Sequence, residues 1–248
     1  NLNLAKSLAL ANEQSKISVD MVPRIKKMPM DTAYDLFKDI YASGRPTSEV
    51  FEQLNNITAA AIRSATVSEK TKVAFYELLQ EKAKFHLAAD AGDPRYPFFL
   101  YNFYNSIGDN TNALVYAQMA YDLSPKKQSF AQALALIHIK RGESDKAIEL
   151  VRKAYQSDPR DLDSLIYYVS MSVDAAQNKT GGFDFVKLGG VAQIIADAYH
   201  QNKHEIGLKP ELWEPFKQTK QPQAAKVLAQ RLGELIPEHK AEFEALAR

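Results

Sequence analysis

His200 and His204 stand four residues apart with Glu205 beside them. That spacing puts two imidazoles on one face of a helix, as a metal site needs. A metal-dependent enzyme built on the pair is one reading. The weightier reading is structural, because the pair falls in the last turn of a helix before Gly207, where the helix dipole favours histidine, and no third ligand is signalled. The His-Glu-x-x-His arrangement of zinc proteases does not occur. The chain has no cysteine, which excludes disulfides, thiolate nucleophiles and cysteine-ligated zinc.

Other candidate chemistry is equally thin. Gly181-Gly182 and Gly189-Gly190 suggest a phosphate cradle, yet neither Gly-x-x-x-x-Gly-Lys nor Gly-x-Gly-x-x-Gly is present, and tight turns explain them better. Phe183, Phe185 and Val186 between the two pairs read as a loop that tucks its aromatics inward, with a partner-binding tip as the alternative. Glu77 and Glu81 have helical spacing, and Lys82 and Lys84 beside them mark a solvated face rather than an acid and base pair. Lys126-Lys127 and Lys140-Arg141 are ordinary surface charges in a chain of net charge +1, which argues against a nucleic acid partner. No catalytic constellation and no cofactor motif emerges.

The elements that would position these residues are helices. Apolar residues recur at three and four positions in 2–15, with Leu4, Leu8 and Ala11 on one face. They recur again from Asp31 as a cap to Gly44, from Thr47 or Ser48 through Ala61, and from Ser68 through Leu87. Residues 1–93 therefore make an irregular helical N-terminal module. From Pro94 onward one pattern is said repeatedly: Gly108 and Gly142, Ala113 and Ala147, Ala120-Tyr121 and Ala154-Tyr155, and Pro125 and Pro159 are all offset by 34 residues. A helix, a turn and a second helix at that period can close-pack only where short side chains face long ones. Four copies fit: 94–127, 128–161, 162–205 and 206–239. The third carries ten extra residues, assigned to Asn178 through Gly190, because its Ala198-Tyr199 arrives 44 residues after Ala154-Tyr155. Pro222 opens the last second helix with Ala225 and Ala229 as its small residues, and 238–248 makes a terminal capping helix.

These residues resemble the tetratricopeptide repeat family. The resemblance implies an all-α, right-handed superhelical solenoid of antiparallel helix pairs whose first helices line a concave face. Carried over position by position, that face holds Arg95, Phe98, Asn102 and Asn105, then Gln132, Leu136 and Lys140, then Ile166. Such a groove takes a protein or peptide partner in extended form, or a glycan through its amides with Phe98 or Tyr101 stacking.

A narrower resemblance lies in Ala120-Tyr-Asp-Leu-Ser-Pro-Lys-Lys-Gln128, in Asp158-Pro159 after Ala154-Tyr155, and in Asp93-Pro94-Arg95-Tyr96 with Phe103-Tyr104. These look like the soluble C-terminal tail of bacterial O-antigen ligase or polymerase-like membrane proteins. The resemblance implies a noncatalytic scaffold domain in surface polysaccharide assembly, on the extracytoplasmic side, attached to a membrane only through spans upstream of Asn1. The chain opens without Met and without a charged-then-apolar leader, as expected of a piece of a longer protein. A free-standing cytoplasmic adaptor that binds a peptide is the alternative.

Overall fold

The computed structural model describes residues 28–44, 46–177, 182–201 and 222–246. The architecture is all-α, built of sequential helices that pack in pairs. Among the described residues the sole β feature is an isolated antiparallel bridge between Gln177 and Phe183. The chain divides into two compact units, 1–124 and 125–248. The dividing point, between Ser124 and Pro125, lies three residues before the expected end of the first copy at 127, and not at the expected module boundary at 93.

In the first unit, α1 (Met30–Ala42), α2 (Ser48–Arg63), α3 (Glu69–Ala89), α4 (Arg95–Ser106) and α5 (Asn110–Leu123) follow one another through short connections. Short connections force consecutive helices to fold back on each other. Here α4 pairs with α5, α2 packs on both α3 and α4, and α1 packs chiefly on α3. Ser68 caps α3 by accepting from the Thr71 amide at 3.1 Å. Asp31 does not cap α1. That helix starts after Pro29, and the Asp31 carboxylate instead accepts from the Thr71 hydroxyl at 2.9 Å, tying α1 to the start of α3.

The second unit holds α6 (Gln128–Lys140), α7 (Ser144–Ser157), α8 (Leu162–Ala176), α9 (Phe185–Gln201), α10 (Pro222–Leu235), a 3-10 turn (Pro237–His239) and α11 (Lys240–Leu246). Its core runs through Leu165, Val169, Leu188, Ile195, Leu228 and Phe243, all buried. Ser124 follows the last residue of α5, and the residue preceding α6 is Lys127, which has no capping side-chain bond. The extra residues of the third copy are partly helix. Because α9 begins at Phe185, Gly189 and Gly190 sit inside it and make no turn. The loop itself is closed by the Gln177–Phe183 bridge and by Asp184, whose amide donates to the Ala176 carbonyl at 2.8 Å and whose carboxylate caps α9 through the Val186 and Lys187 amides. Leu212, Trp213 and Phe216 of the fourth copy lie outside the described residues.

The 34-residue step is visible in backbone hydrogen bonds. At the end of α4, Asp109 donates to the Tyr104 carbonyl and Gly108 to that of Asn105. At the end of α6, Glu143 donates to His138 and Gly142 to Ile139. Both are Schellman closures, with a left-handed residue supplied by Gly108 at φ 82° and Gly142 at φ 75°. A Cβ built on either glycine meets nothing within 4 Å, so alanine there is opposed by backbone conformation alone. Gly142→Ala and Gly108→Ala should each destabilise the unit that holds them by about 1–2 kcal/mol in urea unfolding. Gly92→Ala, equally open but without a positive φ, should be neutral or slightly stabilising. Equal effects at Gly92 and Gly142 would contradict this account of the turns.

Candidate interaction face

On α4, Phe98, Asn102 and Asn105 fall at i, i+4 and i+7, one stripe of the helix. Tyr96, Leu100, Phe103 and Tyr104 on its other sides are buried. Asn102 is exposed, while Phe98 and Asn105 are half-buried. The Phe98 ring stacks on Tyr101 with centroids 5.6 Å apart. Tyr101 itself is buried, so of the two rings expected to stack on a sugar only Phe98 has a partly open side. Arg95 opens the helix, but its guanidinium is engaged: Nη2 donates to Asp93 Oδ2 at 2.7 Å and Nη1 to Ser48 Oγ at 3.1 Å. The Arg95 bond, set against a smaller burial effect, holds the Asp93 carboxyl below the usual carboxylate range. The Arg95 side chain thus ties the start of α2 to the start of α4.

In the second unit, Gln132, Leu136 and Lys140 form an i, i+4, i+8 row on α6. Leu136 is 38% exposed, Lys140 is exposed and Gln132 is half-buried, against a buried side of Phe130, Leu134 and Ile137. Ile166 on α8 is half-buried and packs against the core of that unit, so it divides its surface between core and face. Each unit by itself therefore brings its share of the predicted residues onto the first helix of a pair.

The turn between α6 and α7 carries a charge cluster that sequence reading missed. Where Asp109 caps α5 by accepting from the Asn112 amide at 3.0 Å, its counterpart Glu143 makes no cap bond. Glu143 instead accepts from Lys146 Nζ at 3.0 Å, His138 Nδ1 at 2.8 Å and Arg141 Nε at 3.2 Å. The Lys146 bond, followed by those of His138 and Arg141, pushes its carboxyl down to about 2. The residues are spaced 138, 141, 143 and 146, and only the turn geometry brings all four side chains to one point.

His200, in the last turn of α9, donates through Nε2 to the Leu235 carbonyl at 3.2 Å, which spends that nitrogen on the contact with α10. His204 lies outside the described residues. No group of three or more His, Cys, Asp and Glu among the described residues could hold a metal ion. The loop aromatics split: Phe183 is buried, whereas Phe185 is 50% and Val186 86% exposed at the start of α9. No helix among the described residues is long and apolar enough to cross a membrane.

No protein-family model matches the sequence, and no curated protein matches it. Among solved structures, a tetratricopeptide repeat protein from Parabacteroides merdae is similar, with 12% sequence identity, a TM-score of 0.46, and 95% of this chain and 98% of that one covered.

Proposed function

We propose that this chain is a noncatalytic interaction scaffold whose repeat hairpins present their first-helix faces to a protein or peptide partner in extended form. The observation that carries the reading is the division of labour on α4 and α6. Fully buried residues occupy one side of each helix, while Phe98, Asn102 and Asn105, or Gln132, Leu136 and Lys140, lie in register along another. Within each unit a helix face of amides beside apolar side chains suits an extended chain: amides match peptide N–H and C=O groups in turn, and a side chain is accepted by Phe98 on the one face or by Leu136 on the other. A glycan would use the same amides with Phe98 as its stacking ring.

The finer proposal concerns the parent protein. The Leu123-Ser-Pro-Lys-Lys-Gln128 junction and its neighbours support reading this chain as the soluble tail of an O-antigen ligase or polymerase-like membrane protein, held outside the cytoplasm. On that reading the catalytic residues belong to the membrane part. The gene upstream of Asn1 would then encode several apolar spans of about 20 residues each. A coding region without them favours the cytoplasmic adaptor.

The groove is tested by titrating the protein against a library of extended peptides and a panel of surface oligosaccharides. Asn102→Ala combined with Asn105→Ala should weaken the best binder by about fivefold or more, since two hydrogen-bonding amides are removed at about 0.5–1.5 kcal/mol each. Unchanged affinity for every binder would remove the α4 face from the account.

A further inference from the structure

His86 sits where four helices of the first unit meet, and it is only 2% exposed. It lies on α3. Its ring stacks on Tyr96 of α4, with centroids 4.6 Å apart and planes 14° from parallel, and lies 4.8 Å from Phe51 of α2. Its Nε2 is 3.3 Å from the hydroxyl of Tyr41 on α1. The Lys82 ammonium, one turn earlier on α3, lies 5.1 Å from the centroid of that same Tyr41 ring.

We propose that His86 is an acid-sensitive latch: neutral, it seats Tyr41 and holds α1 against α3; protonated, it lets α1 come away while α4 and α5 stay paired. The groups that face it are few. From α1 comes Tyr41; from α3 and its C-terminal cap come Lys82 and Asp90; from α4 comes Tyr96; and α2 contributes the uncharged Phe51 ring. Burial pushes the imidazole below its ordinary value, with attraction to Asp90 opposing and repulsion from Lys82 adding to it. A second cation four residues from Lys82 puts like charges on one helix face, both directed at Tyr41.

Because the folded state binds this proton less readily than the unfolded chain, the stabilisation is complete above the ordinary histidine value of about 6.5 and is lost as pH falls below it. The helix that lets go is α1. It packs chiefly on α3, through Tyr34 and Phe37 against Phe75 and the Asp31–Thr71 bond, whereas α4 is held by α2, α3 and α5. The element with the fewest packed neighbours opens at the lowest free energy.

The test is amide hydrogen exchange of the full chain at pH 7.5 and pH 5.0, wild type against His86→Phe, compared at equal pH so that intrinsic exchange rates cancel. His86 is the sole histidine in residues 1–124, so no other imidazole of that unit titrates in this window. Wild-type protection of Met30–Ala42 should fall by more than threefold and by at most about thirtyfold on going to pH 5.0, the ceiling set by 1.5 pH units below the ordinary value. His86→Phe should hold α1 protection constant, and α4 and α5 should keep theirs in both proteins. The same fall in His86→Phe, or a fall in α4 and α5 in step with α1, overturns the latch. If His86→Phe does not fold, the imidazole signal of wild-type His86 followed by NMR decides: a midpoint clearly below 6.5 supports the latch, and one at or above it removes it.

Discussion

Phe51→Ala lowers the stability of the first unit by about 3–5 kcal/mol, the largest effect expected of any single truncation described here. The ring is fully buried and centres 4.8 Å from His86, 5.7 Å from Tyr96 and 6.4 Å from Phe99. It is thus the point where α2, α3 and α4 share one aromatic cluster, and its neighbours are themselves locked rings that cannot collapse into the space left behind. The cost is therefore the lost transfer free energy plus a cavity that stays open. Phe85→Ala is the matched control. That ring lies 5.2 Å from His86 but is 44% exposed, so nearly half of its surface is already in water and its loss should cost about 1–2 kcal/mol. Urea unfolding of the two variants measures the difference. A Phe51→Ala loss no larger than that of Phe85→Ala would mean that the aromatic cluster is not what joins the three helices.

The second half of the chain was legible because its constraints are local and recur. Gly108 and Gly142 announce left-handed turns by residue type alone, and Ala113, Ala120 and Ala147, read as small residues at close approaches, are fully buried, whereas Ala225, read the same way, is half-buried and Ala224 beside it is buried instead. Residues 30–89 hid their organisation for a physical reason. Helix α3 has 21 residues where α5 and α7 have 14 each, so hairpins of the same kind recur without the fixed period that would reveal them. The His86 cluster was invisible for a related reason. Tyr41, Phe51, His86 and Tyr96 come from four helices, and no spacing in the sequence relates them. The face residues could be placed by repeat position, but what each side chain touches could not. Arg95 looked like a groove cation, and its guanidinium is bonded to Asp93 and Ser48. Tyr101 looked like a stacking platform, and it is buried.

That a repeat position is not yet a packing environment also governs the second large effect. Ala147 on α7 is fully buried, packed with Ala135 of α6, Val151 and Met171 of α8, and flanked by Ile139, Leu150 and Tyr168. Three helices approach there because Ala135 and Ala147 carry no side chain beyond Cβ. Ala147→Leu adds three carbons between α6 and α8, which must either move apart or force Met171 and Tyr168 off their rotamers, at about 1–3 kcal/mol. Ala154 offers the discriminating comparison. By period it is the equivalent of fully buried Ala120, yet it is only half-buried. If repeat position alone decided the outcome, Ala154→Leu and Ala120→Leu would cost the same. If the environment decides, Ala120→Leu should match Ala147→Leu while Ala154→Leu stays below about 1 kcal/mol, since the longer side chain can extend into solvent. Thermal unfolding of the three variants separates the two outcomes. Equal losses at Ala120 and Ala154 would show that the 34-residue pattern specifies these contacts more tightly than the buried surface does.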